Sequence, residues 1–341
     1  MKYTELRFLC FLVTLLTVGC GNSEKKTAKE ETINLDYYEL VDDWPKFPTN
    51  FILGSPTGLG LDTNGKIIVF HRSGRTWGSM PISHLPLITK NTISKIDPGT
   101  GEVLKSWGDN LFIMPHGLEV DNKNNVWVTD CALHQVFKFD PEGNLLMTLG
   151  EAKVSGNDAE HFNLPTDVAV SEDGSFYVSD GYGNSRVIKF SKEGEYLFEW
   201  GTFGDQQGEF NIPHGIDLDK DGNVYVADRE NNRIQKFDAE GNFIAVWQNK
   251  ITDQLYSVAI DTKNEYLYGI DYMTVNDTII KGSDIFRFDL NINLQMQFGR
   301  TGFYDGPVSR YHDILIDDNG SIYVGDILGN QIQKFELKKG A

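Results

Sequence analysis

Short apolar segments of alternating polarity recur along the chain, and each is followed by a turn rich in Asp, Asn and Gly. Segments such as Val224-Tyr225-Val226 have the two-residue period of a β-strand. Between these segments there is no helical periodicity, which a βαβ fold would require. The pattern therefore predicts an all-β fold.

The strand-like segments form six units that can be stacked on one another. Each unit reads as an apolar strand, a turn, an alternating strand, a loop, and then two further strands. The units begin at Pro56, Pro115, Pro165, Pro213, Tyr256 and Tyr311. Four short strands in about 45 residues are typical of a propeller blade, so the sequence predicts a six-bladed β-propeller. The blade pattern resembles the NHL repeat.

The last unit ends near Phe335 with only three strands. We expect the stretch from Tyr38 to Val41 to supply the fourth strand and to close the ring, because closure removes exposed sheet edges. The 341 residues suffice for one such domain, and the net charge of −18 argues against nucleic acid or an anionic membrane surface as a partner. We expect a monomer.

The N-terminus has a different character from the repeats. Lys2 and Arg7 precede an apolar run that ends shortly before Cys20, and a polar stretch follows. This resembles a bacterial lipoprotein signal; an ordinary signal peptide or an uncleaved anchor is the alternative. We therefore expect a signal peptide at 1–19, a polar tether at 20–35 and a propeller at 36–341. The protein would be an exported bacterial lipoprotein, periplasmic or at the cell surface, held to the membrane only by a lipid on Cys20.

Three histidines, His116, His214 and His312, are evenly spaced along the chain and open equivalent segments. When the first strands of the six units are aligned, the position of these histidines is occupied in turn by Thr57, His116, Thr166, His214, Ser257 and His312. In a six-bladed ring, alternate blades lie about 120° apart around the axis, so the imidazoles would converge on it. Three converging imidazoles are the ligand set of an open catalytic zinc site.

A second position in the repeat carries Asp130, Asp180, Asp228, Asp271 and Asp326, with His71 in the first unit. We interpret these residues as turn-capping and structural. Arg72 and Arg229 directly follow two of these positions, and Tyr182 lies two residues after a third. We expect Arg72, Tyr182 and Arg229 to form one rim above the channel. Arg186 and Arg233 belong to a pattern of the third strand, and we interpret them as structural residues.

Cys131 is expected to be a buried thiol outside any disulfide.

Several longer segments resemble peptidyl-α-hydroxyglycine α-amidating lyase, the lyase half of the peptide-amidating machinery. They include PHGLEVD, SDGYGNSR, VADREN and YHDILID, and the resemblance extends roughly from Trp44 to Leu337. It implies a carbon–nitrogen lyase that cleaves a peptidyl- or N-acyl-α-hydroxyglycine to an amide and glyoxylate.

The resemblance also implies roles for individual residues. His116, His214 and His312 match the zinc ligands, Tyr182 the catalytic tyrosine, and Arg72 and Arg229 the active-site arginines. A structural calcium would be held by the carbonyls of Leu59 and Leu118 and by the carboxylate of Asp313. We expect nearby cations to lower the pKa of Tyr182 so that it acts as a general base. Where the family has Met-Pro before its third zinc histidine, this chain has Arg310-Tyr311.

Two alternatives remain open on the sequence. A non-enzymatic NHL propeller would bind a protein or a glycan on the same face, but nothing would then require histidine in alternate blades. A calcium-dependent lactonase or hydrolase is the enzymatic alternative, although such sites use carboxylate and Asn ligands on the axis. The sequence does not include the hydroxylase domain that would make the hydroxyglycine. We expect either that a separate enzyme supplies this substrate or that the natural substrate is another N-acyl α-hydroxy amino acid.

Overall fold

The computed structural model describes residues 37–250, 254–275, 279–299 and 308–338. All of them belong to one compact unit, Ile33–Ala341. The predicted signal peptide, most of the polar tether and Cys20 lie outside the described residues. No helix in the described part of the chain is long and apolar enough to cross a membrane.

The described residues form six antiparallel sheets, one for each predicted blade. Blade one contains β2 (Pro56–Leu61), β3 (Ile67–His71), β4 (Ile93–Ile96) and β5 (Val103–Trp107). Blade two contains β6 (Pro115–Val120), β7 (Val126–Asp130), β8 (Gln135–Phe139) and β9 (Leu145–Leu149). Blade three contains β10 (Asp167–Val170), β11 (Phe176–Asp180), β12 (Arg186–Phe190) and β13 (Tyr196–Trp200).

The remaining blades follow the same order. Blade four contains β14 (Pro213–Leu218), β15 (Val224–Asp228), β16 (Arg233–Phe237) and β17 (Phe243–Gln248). Blade five contains β18 (Gln254–Asp261), β19 (Tyr266–Val275), β21 (Asp284–Asp289) and β22 (Leu294–Gly299), and β20 (Ile279–Gly282) pairs only with the extended end of β19. Blade six contains β23 (Tyr311–Ile316), β24 (Ile322–Asp326), β25 (Gln331–Leu337) and β1 (Tyr38–Leu40).

The predicted closure of the ring is confirmed. Strand β1 pairs antiparallel with β25, with Glu39 opposite Glu336, and Val41 donates a backbone hydrogen bond of 2.8 Å to Lys334. The last blade is thus completed by β1, the first strand among the residues that the structure describes. Its otherwise open edge is covered by a strand from the other end of the same domain.

The hydrophobic core lies between blades rather than within any one of them. The described residues form six buried clusters, and each joins two neighbouring blades. The cluster that closes the circle contains Val69 of blade one and Tyr323 of blade six, both fully buried. Because each sheet is covered on both faces by its neighbours, the second strand of every blade except blade five is buried at each residue, without the alternation expected of a strand that has one exposed face. This packing fixes where the innermost strands meet the axis.

Candidate metal centre and active site

The three predicted histidines meet on the axis. The ligand nitrogens of His116, His214 and His312, here called the axial histidines, all lie within 4.8 Å of one another, and all three residues are buried. Their ring centroids are 4.6 to 4.9 Å apart, and each pair of rings is inclined by 67°. The structure therefore brings together residues that are far apart in sequence, as their even spacing predicts.

Each axial histidine is oriented by the next blade. The Nδ1 atoms of His116, His214 and His312 donate to the carbonyl oxygens of Thr166, Tyr256 and Thr57, at 2.7, 2.7 and 2.9 Å. A carbonyl oxygen only accepts, so Nδ1 carries the proton and Nε2 keeps its lone pair. Burial lowers the pKa of all three imidazoles well below the usual value, and nearby cationic groups add to this effect. The neutral rings thus present three lone pairs to one point.

Local backbone irregularity aims these side chains at the axis. The register of the first strand against the second shifts between Pro213 and Gly215 and again between Tyr311 and Asp313, which leaves His214 and His312 on β-bulges. A bulge re-aims the side chain that it carries. Glycine follows two of the three axial histidines because the next inner strand is close; a Cβ on Gly117 would lie 2.3 Å from Asp167 Oδ1.

In blade five, the structure shows that a different residue from the predicted one occupies the position equivalent to the axial histidines. Leu255 pairs with Asp271, and the register shift before Ser257 leaves Tyr256 at the position equivalent to the axial histidines. The carbonyl of Tyr256 also receives a histidine Nδ1, just as those of Thr57 and Thr166 do. Assigning Ser257 to this position was wrong by one residue, because blade five lacks the Pro-x-Gly anchor that fixes the frame in blades one, two and four.

Tyr182 lies directly above the axial histidines. Its hydroxyl is 3.1 Å from His116 Nε2 and 3.0 Å from His214 Nε2, and Arg229 Nη1 donates to it at 3.2 Å. A single phenolic proton cannot satisfy two lone pairs, so the cluster has more acceptors than donors. Burial raises the pKa of Tyr182 to about 12, and Arg229 only partly offsets this. Arg229 and Arg72 thus act in the predicted direction, but in the protein alone burial outweighs them.

A pocket of about 360 Å³ opens above the axial histidines. We call it the rim pocket; it is lined by Arg72, Trp77, Tyr182, Arg229, Tyr256, Arg310, His312 and Ile327. Arg72 is buried and donates through Nε to the Pro115 carbonyl at 3.1 Å, and Trp77 lies against both Arg72 and Tyr182. The predicted rim of two arginines and a tyrosine is thus present, while Tyr256 was not predicted to line it.

Buried carboxylates also face the channel. Asp313 accepts hydrogen bonds from Leu59 N at 2.7 Å and Ser257 Oγ at 2.8 Å, and burial raises its pKa to about 7. Burial likewise raises the pKa of Glu119, with further contributions from Asp217, Asp167 and Asp313. A Cβ on Gly58 would lie 2.5 Å from the Leu118 Cβ, so the strands that carry Leu59 and Leu118 are in close contact. Of this group of acidic residues, only Asp313 was singled out from the sequence.

The residues interpreted as structural make structural contacts. The carboxylate of Asp228 accepts from the backbone of Asn211 and from Arg233 Nε, and Asp180 does the same with Asn163 and Arg186. At the equivalent position His71 hydrogen-bonds the Leu53 carbonyl and Ser94. Cys131 is buried and unpaired, and burial raises the pKa of its thiol. These groups hold the loops that carry the rim.

Comparisons with known proteins agree with this architecture. A family model described as the NHL repeat matches residues 112–139, 162–190 and 210–237, which fall in blades two to four. Among solved structures, a streptogramin B lyase superposes with a TM-score of 0.55 at 14% identity, covering 89% of this chain and 98% of that one. At such low identity the likeness shows the propeller fold alone.

Two curated relatives are more informative. Peptidyl-glycine alpha-amidating monooxygenase B of Xenopus laevis is 36% identical over 340 residues, which cover 93% of this chain but only 38% of the frog protein. A probable peptidyl-alpha-hydroxyglycine alpha-amidating lyase of Caenorhabditis elegans is 35% identical over 302 residues, covering 84% of this chain and 83% of the nematode protein. The chain belongs to the peptidyl-α-hydroxyglycine α-amidating lyase family. This membership confirms the predicted resemblance, the NHL propeller and the assignment to the lyase class of enzymes.

The comparisons contradict the predicted localisation. The relatives are eukaryotic amidating enzymes and lyases of frog, fly and nematode, not bacterial lipoproteins. The lipoprotein interpretation depended on residues 1–20, which lie outside the described residues, and no other observation supports a lipid anchor. We therefore withdraw the prediction of a lipid on Cys20.

Proposed function

We propose that this protein is a zinc-dependent lyase that cleaves the C–N bond of a peptidyl- or N-acyl-α-hydroxyglycine, giving an amide and glyoxylate. The observation that carries the proposal is the convergence of three neutral imidazoles on one point beneath Tyr182 and two arginines. Three nitrogen ligands with an open fourth position suit catalytic zinc. A binding scaffold has no need of this arrangement.

The axial histidines fit a divalent cation on chemical grounds. Each Nε2 lone pair is free of a proton because Nδ1 is the donor, and hydrogen bonds of this kind are typical of histidine ligands. Zinc held there would supply Lewis-acid polarisation of the substrate hydroxyl and would favour the phenolate form of Tyr182. We propose His116, His214 and His312 as its ligands.

Protein side chains bind the substrate and accept its proton. Arg72 and Arg229 bind the substrate carboxylate, since guanidinium groups pair with carboxylates through two parallel hydrogen bonds. Tyr182 accepts the proton of the carbinol hydroxyl. The C–N bond then breaks, its electron pair stays on the amide nitrogen, which takes up a proton, and the former carbinol becomes the aldehyde of glyoxylate. Atoms and charges balance without a redox cofactor.

We further propose a structural calcium beside Asp313, with the carbonyls of Leu59 and Leu118 as additional ligands. Support comes from the neighbouring carboxylates of Glu119, Asp167 and Asp217, whose mutual repulsion raises the pKa of Glu119 in addition to the effect of burial. A hard cation with oxygen ligands would relieve that repulsion.

Metal analysis and a glyoxylate assay on the full-length protein test the proposal. We expect bound zinc and calcium, together with glyoxylate release from an N-acyl-α-hydroxyglycine. Metal-free protein without turnover would instead support the binding scaffold. Calcium without zinc, combined with ester or lactone cleavage, would support the hydrolase.

Two variants make the test specific to the axial site. His214→Ala is expected to lose zinc and turnover together, whereas Tyr182→Phe is expected to keep zinc and to lose about 100-fold or more in kcat, as for removal of a general base. His84→Ala, which changes an exposed histidine outside the rim pocket, serves as the matched control. Full turnover by Tyr182→Phe would remove the assignment of the base.

A further inference from the structure

We propose that the rim pocket selects substrates that carry a second carboxylate, located in the acyl part of the molecule, and that Arg310 is the residue that binds it. This inference rests on the proposed lyase function and names the class of substrate that the lyase prefers. It follows from the number, placement and pairing of the arginines in the pocket.

The rim pocket contains more positive charge than one carboxylate requires. Arg72, Arg229 and Arg310 all line it, and none of its described lining residues is acidic. The glycine-derived carboxylate of the substrate is already served by Arg72 and Arg229. A third guanidinium in about 360 Å³ is unfavourable in the absence of a further anion, because like charges repel most strongly where water is scarce.

Arg310 occupies a different place from the other two arginines. Arg229 donates to the Tyr182 hydroxyl, and Arg72 donates to the carbonyl of Pro115, the residue before an axial histidine. Arg310 instead hydrogen-bonds the Tyr256 hydroxyl through Nε at 3.1 Å and also through Nη2. Its guanidinium is therefore held by Tyr256 of blade five rather than by Tyr182, and we infer that it faces the acyl part of a bound substrate.

The Arg310 side chain is held in place before any ligand arrives. Its guanidinium carbon lies 4.5 Å from the ring centroid of Tyr272 and 5.3 Å from that of Tyr256. The contact with the Tyr272 ring and the hydrogen bonds to Tyr256 hold the guanidinium in place, so it is preorganised to recognise a carboxylate at little further entropic cost. A flexible surface arginine would lack this property.

Charge pairing within the pocket is uneven. Arg229 forms an ion pair with Glu230 at 2.7 Å. Among the residues that the structure describes, neither Arg72 nor Arg310 forms an ion pair with a carboxylate. Both line the rim pocket, and burial lowers the pKa of Arg72, with a contribution from repulsion by Arg310. A substrate with two carboxylates would pair one with Arg72 and the other with Arg310.

A matched set of substrates tests the inference on the full-length, metal-loaded protein. N-(4-carboxybenzoyl)-α-hydroxyglycine is compared with its neutral isostere, the 4-carbamoylbenzoyl compound, and with the plain benzoyl compound. We expect kcat/KM for the carboxylated substrate to exceed that for the carbamoyl isostere by about tenfold or more, the effect of one charge-assisted hydrogen-bonded contact. Wild-type protein that shows no such preference overturns the inference.

Three variants assign the preference to a residue. Arg310→Gln is expected to bring the ratio of the two kcat/KM values close to one, and Arg310→Lys to retain part of it. Arg75→Gln is the control, since Arg75 follows Arg72 closely in sequence but does not line the rim pocket; its ratio should equal that of the wild type. An equal loss in Arg75→Gln would mean a general field effect and would overturn the role of Arg310.

Failure of this inference can be distinguished from failure of the proposed lyase function. Turnover of all three substrates at equal kcat/KM would support the lyase function and would contradict only the proposed carboxylate selectivity. Absence of glyoxylate from all three, in protein that contains zinc, removes the proposed function and the inference with it. Circular dichroism and bound zinc, measured for each variant, show whether a changed ratio comes from a folded enzyme.

Discussion

Histidine serves two purposes in this chain, and its hydrogen-bond partners distinguish them. The axial histidines donate from Nδ1 and leave Nε2 facing an open point on the axis. His71 uses both ring nitrogens internally, with the Leu53 carbonyl at 2.9 Å and Ser94 Oγ at 3.0 Å. It takes the place that Asp occupies in the other five blades. A buried imidazole with a separate partner on each ring nitrogen supports the fold. The Nε2 acceptors of His116 and His214 instead share the single hydroxyl of Tyr182, so they remain available to a ligand.

His71 therefore predicts a defined pH dependence of stability. Burial lowers its pKa from 6.5 to about 4, so between these values the unfolded chain binds a proton that the folded chain does not. The free energy of unfolding should fall as the pH decreases through this window, by about 3 kcal/mol from this group. Denaturant titrations of the wild type and of His71→Gln between pH 7.5 and 4 would measure it.

The comparison between the two proteins isolates the contribution of His71, because the carboxylates titrate alike in both. His71→Gln should be less stable at pH 7, and its deficit should shrink on acidification. His84→Gln, at an exposed site, should follow the wild type throughout. Parallel curves for the wild type and His71→Gln would contradict the assignment.

Much of the site was predictable because the repeat carries it. His116, His214 and His312 stand in equivalent frames, and the residues after strand two place Arg72, Tyr182 and Arg229 on one rim. Tyr256 and the carboxylates of Asp167 and Asp217 were missed. Their positions depend on β-bulges and on the approach of neighbouring inner strands, which are properties of three-dimensional register and leave no fixed spacing in the sequence.

At the scale of strands, the blades were predictable wherever the turn residues are regular. Blade five departs from the pattern, since β19 extends to Val275 and pairs with β20 outside the four-stranded blade. The fourth strand of blade six was predictable by a different argument, because an unpaired edge needs a partner and the chain offers Tyr38–Leu40. Closure thus depends on one short strand.

The ring closure yields a prediction about β1. Val41→Pro removes the backbone donor that bonds to the Lys334 carbonyl at 2.8 Å, and it should destabilise the propeller by about 1–3 kcal/mol. Val41→Thr keeps the backbone donor and a similar side-chain shape, and it should remain within about 0.5 to 1 kcal/mol of the wild type. Urea titrations followed by tryptophan fluorescence would measure both. Equal stability of the two variants would show that the strand does not close the ring in solution.

At the scale of the whole molecule, the axial histidines connect all six blades. They lie in blades two, four and six, and their Nδ1 atoms donate to carbonyls of blades three, five and one. An ion bound to all three would cross-link alternate blades at the hub, while the interblade clusters hold the outer parts of the ring. The metal proposed for catalysis would then also support the fold.

Removal of zinc should therefore lower the melting temperature of the entire propeller. The unfolded chain loses the convergence of ligands, so binding to the folded state alone stabilises it, by about 4 kcal/mol when free ion exceeds Kd a thousandfold. For a domain of this size, we expect treatment with a chelator selective for zinc over calcium to lower Tm by about 5 °C or more, in a single cooperative transition. Calorimetry before and after treatment would show the shift, and added zinc should reverse it. His214→Ala should start at the lower Tm and should not respond to the chelator. If wild-type protein that has been shown to lose its zinc keeps the same Tm, then zinc does not stabilise the fold. Its proposed role would then be limited to catalysis.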